Sequence, residues 1–174
     1  MASAPTTVRL NDVKLDAVGE LVGAILEDEE KAQTTWSATV TWSGGFRSEA
    51  KIREFDPIAS DEPEGLGGDD SAPNPVEQLL GSLGNCLAVG YAANASTAGI
   101  EIQDMKIELE GDLDLRTFLG LAQGHAGYEG IKARVHLETD ASDEAVRELH
   151  EKVTGTSPVG HTLSRPVPVS VELA

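Results

Sequence analysis

Leu15, Val18, Val22, Ile25 and Leu26 recur three and four positions apart and predict an amphipathic helix over about Val13–Lys31. Asn11 or Asp12 can cap its start. Gly19 and Gly23 weaken it, so it depends on docking. The period then changes to two. Trp36, Ala38, Val40 and Trp42 alternate with Ser37, Thr39 and Thr41, Ser43-Gly44-Gly45 makes a hairpin turn, and Phe46, Ser48, Ala50 and Ile52 return. Arg47, Glu49, Lys51 and Arg53 fall on the solvated face of the second strand. From Asp56 to Pro73 the chain is rich in proline, glycine and acid, a long loop with a short third strand near Ile58.

From Asn74 to Ile100 the pattern changes again. Glu77 is the only charged residue there, so a helix in this stretch must be hidden from water on most sides. Asn74 suits the N-cap, Pro75 the first helical position and Gly99 the C′ position. Val76, Leu80, Leu83 and Leu87 form a bulky stripe, and Gly81, Gly84, Ala88, Ala92 and Ala95 form a stripe of small residues nearly opposite. Each interior glycine costs roughly 1 kcal/mol relative to alanine, which close approach of another layer would offset. The pattern predicts a helix between two layers, one of which a partner subunit could supply.

Downstream, strands are expected over Ile102–Glu110, with Met105, Ile107 and Leu109 inward, and over Tyr128–Thr139, with Ile131, Ala133, Val135 and Leu137 inward. A helix over Ser142–Thr154, with Ser142 as cap, turns Val146, Leu149 and Val153 inward, and Ser157-Pro158-Val159 breaks or restarts it. Val167, Val169, Val171 and Leu173 alternate with Pro166 and Pro168 as an edge-type strand. Residues 1–7 read as a loose terminus. The order of elements is α+β, organised as an N-terminal tail and helix over 1–33 and one domain over 34–174.

Charge narrows the function classes. Thirty acidic against 13 basic residues give a net charge of −17, which argues against nucleic acid and anionic membranes as partners. No signal segment or bilayer-length apolar run is visible, so a cytoplasmic protein is the expectation. His125, His136, His150 and His161 are scattered, so no metal site is expected. With no phosphate loop and no Gly-x-Ser-x-Gly elbow, no cofactor is expected either. What remains is Cys86, the only cysteine, which excludes an intrachain disulfide. A lone cysteine in a buried helix is ordinarily a small hydrophobe. To react it needs a cation nearby, and arginine serves best, because the helix dipole fades within the first turn.

Asn74-Pro75-Val76-Glu77-Gln78-Leu79-Leu80-Gly81-Ser82-Leu83-Gly84-Asn85-Cys86-Leu87-Ala88 resembles the central-helix signature of the OsmC/Ohr family, the osmotically induced and organic hydroperoxide resistance proteins. Ser157-Pro158-Val159 with Thr162-Leu163 resembles that family's second signature, and Arg165-Pro166-Val167-Pro168-Val169 also fits. The resemblance implies an OsmC-like fold: an intertwined homodimer in which two antiparallel sheets enclose a long central helix from each chain. It implies a cysteine thiolate that attacks an organic hydroperoxide, stabilised by an arginine that a glutamate orients, and resolved by a second cysteine.

Carried over residue by residue, Cys86 takes the attacking position and Arg47 best matches the arginine. The resolving position is Ser157. The glutamate position, ten residues before the cysteine, is Val76. Glu77 lies nine before, on the opposite helical face and roughly 13 Å along the axis, so within one chain it serves as helix-start charge, and across a dimer it is the candidate glutamate. The leading expectation is a one-cysteine, thiol-dependent hydroperoxide reductase with Cys86, Arg47 and Glu77 as site residues and an external thiol as reductant. The alternative is a non-catalytic dimer that binds a small apolar ligand or has a structural role. A cysteine hydrolase is the weakest reading, since no motif places a histidine beside Cys86.

Overall fold

The computed structural model describes residues 9–173; the terminus expected over 1–7 lies outside the described residues. The chain is α+β and forms two compact units, one of Val18–Gly81 and one of the residues up to Ala17 together with the chain from Ser82 onward.

In the first unit, β1 (Thr39–Gly44), β2 (Arg47–Lys51) and β3 (Ile58–Ser60) form an antiparallel sheet in sequence order. Val40 pairs with Ala50 and Ala50 with Ile58, which puts these three on one face. The turn closes later than the glycine pair suggests, at Gly45-Phe46. An irregularity between Trp42 and Gly44 keeps Ser43 and Gly44 in the strand. The start of the long helix belongs here too. Gln78 Nε2 donates to the carbonyls of Ala59 and Pro73, both at 2.9 Å.

The long helix itself, α2, runs Pro75–Ala98, after the shorter α1, Leu15–Glu27. Asn74 Oδ1 accepts the Glu77 N–H and Glu77 Oε2 accepts the Asn74 N–H, each at 2.9 Å, a reciprocal capping box. Gly99, at φ +74, ends the helix. The expectation that Asn11 caps α1 is replaced by something else. Asn11 sits at φ 53, a region asparagine tolerates. Its amide donates to Ser96 Oγ (3.0 Å) and the Ile100 carbonyl (2.9 Å), and its Oδ1 accepts the Ile102 N–H (2.8 Å). With both ends of the amide used at the far end of α2, none is left for a cap.

In the second unit, β4 (Asp104–Leu113) and β5 (Tyr128–Glu138) form a two-stranded antiparallel sheet. The connection between them carries α3 (Leu115–Phe118), and α4 (Asp143–Thr156) and α5 (Pro158–Ser164) follow. The core is one stripe of α2, Leu83, Leu87, Tyr91 and Ala95, closed by Leu149 and Val153 of α4. Of the inward residues expected of the strands, Met105, Ile107, Leu109, Ile131, Val135 and Leu137 pack against it, whereas Ala133 is exposed.

The small residues of α2 permit two of these approaches. A Cβ at Gly84 would lie 2.8 Å from Leu109 Cδ1, and one at Gly90 2.9 Å from Val153 Cγ1. Gly90→Val therefore overpacks the α2–α4 contact and is expected to cost about 1–3 kcal/mol, read as a lower urea midpoint at an unchanged m-value. An unchanged midpoint would mean that α4 shifts without penalty. Nothing lies within 4 Å of a Cβ at Gly81.

One expected element is missing. Residues 166–173 form no strand, and Val169, Val171 and Leu173 are 83%, 91% and 104% exposed. Alternation prepares a strand, but a strand also needs an edge to hydrogen-bond with, and among the described residues this segment pairs with none.

Candidate functional site

Cys86 sits half-buried in the middle of α2, next to the Leu83–Leu87 stripe. The turn between α4 and α5 meets it. Ser157 ends α4 and caps α5, its Oγ accepting the Gly160 N–H at 3.1 Å, and Pro158 fixes the first helical position. Ser157 is 5% exposed, and its Oγ lies 3.3 Å from Cys86 Sγ. The Gly160 N–H occupies an oxygen lone pair and leaves the hydroxyl proton free to point at sulfur. When the thiol ionises, the hydroxyl is the only donor of the pair. The two stretches Asn74–Ala88 and Ser157–Val159 thus meet in one contact, a hydroxyl against the thiol.

Arg47 opens β2 and its guanidinium pairs with the Asp69 carboxylate. Both side chains are exposed, so the pair adds little stability. Asp69 is placed in turn by Asp61, whose Oδ2 accepts the Asp69 N–H (3.1 Å), the Ser71 N–H (3.1 Å) and the Ser71 hydroxyl (2.8 Å). These bonds, the Ser71 hydroxyl first, hold the Asp61 carboxyl down at about 2. Glu77 is occupied in the capping box with Asn74. The structure thus joins Cys86 to Ser157, and gives Arg47 and Glu77 partners of their own in Val18–Gly81.

Two features were not singled out from the sequence. Tyr91 is 1% exposed, its hydroxyl bonds His150 Nδ1, and burial pushes its phenol pKa up. Its spacing four residues beyond Leu87 was the available signal. Asp61 gave none, being one acid in an acidic loop. An open groove of about 450 Å³ lies between the end of α2 and α4, lined in part by Asn94, Thr97, Ile100, Leu149 and Lys152. Among the described residues no group of three or more His, Cys, Asp or Glu could hold a metal ion, and no helix is long and apolar enough to cross a membrane.

Residues 68–172 match the family model described as OsmC-like protein. The chain is 29% identical over 135 residues to the uncharacterized protein YmaD of Bacillus subtilis (strain 168), covering 76% of this chain and 85% of that protein. Its fold is similar to the crystal structure of an OsmC-like protein from Mycoplasma pneumoniae, at a TM-score of 0.66 and 18% identity over 76% of this chain and 89% of that one. It is also similar to an organic hydroperoxide resistance protein OsmC from Legionella pneumophila, at a TM-score of 0.58 and 16% identity over 75% and 91% of the two chains.

Proposed function

The chain belongs to the OsmC-like family, and from that membership we propose that it is a one-cysteine hydroperoxide reductase working through Cys86. The observation that carries this reading is the 3.3 Å contact between Cys86 Sγ and the buried Ser157 hydroxyl, at the meeting of the two family signatures. The Cys86 thiolate attacks one oxygen of the O–O bond. An S–O bond forms, the O–O bond breaks, and the departing alkoxide takes a proton to leave as an alcohol. Cys86 is then a sulfenic acid. Since position 157 carries a hydroxyl, an external thiol attacks the sulfenic sulfur, water leaves, and a second thiol frees Cys86 and carries off the disulfide.

Arg47 is the proposed cation for the thiolate, and Glu77 the proposed acidic partner, supplied across a dimer. A cytoplasmic setting, where small thiols are at hand, suits this cycle. The test is peroxide consumption with a dithiol reductant, with and without Cys86. A second reading, a non-catalytic dimer that binds a small apolar ligand, draws support from the engagement of Arg47 with Asp69 and of Glu77 with Asn74. Activity dependent on Cys86 excludes it.

The homodimer has its own support. Val40, Trp42 and Ile58 share one face of the first sheet and are exposed, as are Val169, Val171 and Leu173. Apolar surface on this scale is what a subunit interface covers. Light scattering is expected to give twice the chain mass of 18.3 kDa; a stable monomer at micromolar concentration contradicts the dimer.

A further inference from the structure

Among the described residues Asp61 is the only buried carboxylate, at 1% exposure. One of its oxygens takes three hydrogen bonds, and the other, Oδ1, is buried and takes none. Leaving a charged group's oxygen bare in the interior is a costly way to close a loop. The loop is otherwise built tightly. Gly68 N–H bonds the Pro63 carbonyl at 3.2 Å and Asp70 N–H the Glu62 carbonyl at 3.1 Å. A Cβ at Gly68 would fall 1.9 Å from the Glu62 carbonyl oxygen, so only glycine fits there. Asp70 is held at φ 52, a strained conformation for a residue with a side chain. The one side chain this construction delivers to a cation is Asp69. Its N–H is held by Asp61 and its carboxylate is paired with Arg47.

We propose that Asp61 is a positioning residue for Arg47: its buried carboxylate fixes the 61–71 loop so that Asp69 is held against the guanidinium, and the loop thereby restricts where that guanidinium points. An exposed arginine left to itself samples many rotamers, and ordering it costs entropy at the moment it is needed. A counter-ion on a rigid loop meets that cost in the resting protein. The consequence for chemistry rests on the reading of Arg47 as the cation of the Cys86 site; the positioning itself does not.

The experiment is NMR of the full-length protein, following the Arg47 Nε–H resonance and exchange of the Asp69 and Ser71 backbone amides. Asp69→Asn defines the resonance of a released Arg47. In Asp61→Asn both amides are expected to exchange at least tenfold faster and the Arg47 resonance to move to its Asp69→Asn position. Ser71→Ala removes one of the three bonds to Asp61 without touching the carboxylate, and gives a smaller shift in the same direction should Asp61→Asn not fold. Faster amide exchange with the Arg47 resonance unmoved would show a merely structural role and overturn the proposal, as would unchanged exchange in both variants. Peroxide turnover is measured alongside. Asp61→Asn and Asp69→Asn are expected to lower kcat by the same factor, on the order of tenfold, with KM little changed. Turnover that is unaffected by Arg47→Ala overturns the role of Arg47 in the chemistry and leaves the resonance shift to decide the positioning.

Discussion

Cys86→Ser is expected to abolish hydroperoxide consumption. The only thiol of the chain is removed, and a serine hydroxyl is far less nucleophilic at neutral pH than a thiolate. Serine is nearly isosteric, and the site is half-buried beside another hydroxyl, so the fold is expected to persist with an unchanged urea midpoint. The assay is loss of an organic hydroperoxide in the presence of a dithiol, against the same dithiol without protein. Wild-type turnover with none in Cys86→Ser establishes the enzyme. Consumption by neither above the protein-free control leaves the non-catalytic dimer, and equal consumption by both above it overturns Cys86 as the nucleophile.

The second large effect runs the other way. Ser157→Cys is expected to turn a one-cysteine site into a two-cysteine site. The Oγ of Ser157 is 3.3 Å from Cys86 Sγ, and a disulfide requires its sulfurs about 2.05 Å apart, so a small side-chain adjustment brings them together. On peroxide treatment the introduced thiol attacks the sulfenic sulfur of Cys86, an S–S bond forms and water leaves. Intact mass then falls by two hydrogens and returns with a dithiol. The wild type instead stays a sulfenic acid, trapped by a cyclic diketone. Failure of Ser157→Cys to form the bond under peroxide, where the wild type is trapped as the sulfenic acid, would show that the Cys86–Ser157 contact is not maintained in solution. The same variant loses the hydroxyl that caps α5 through Gly160, so a stability loss of about 1 kcal/mol is expected with it.

The two outcomes bear on why the site holds serine. A hydroxyl facing the sulfur donates to a thiolate and to a sulfenate oxygen alike, and it cannot displace either. On the proposed cycle, oxidised Cys86 waits for an external thiol, and the rate of that step depends on access to the half-buried sulfur.

Local chemistry wrote most of the elements into the sequence. Period-two alternation marked β1 and β2, the uncharged run from Asn74 marked α2, and Ser142 and Ser157 marked helix starts, because backbone period and capping depend on neighbours a few residues away. Most inward positions of β4 and β5, and Leu149 and Val153 of α4, followed for the same reason. Cys86 was legible as the one thiol, and the family signatures brought Ser157 into view as the position of the absent second one.

Contacts between distant residues were decided only in three dimensions. Asn11 looks like a cap, yet its amide is spent on Ser96, Ile100 and Ile102, since a side chain bonds whatever the fold brings near. Asp61 is indistinguishable from its acidic neighbours until the loop closes around it. Residues 166–173 have a strand's alternation and no strand, because a strand's hydrogen bonds belong to its neighbour as much as to itself. The sequence by itself determined most of the helices and strands and that the one thiol lies in the long uncharged helix. The tertiary structure decided that this thiol faces the Ser157 hydroxyl and that Arg47 is held by Asp69, because these depend on packing that no periodicity encodes.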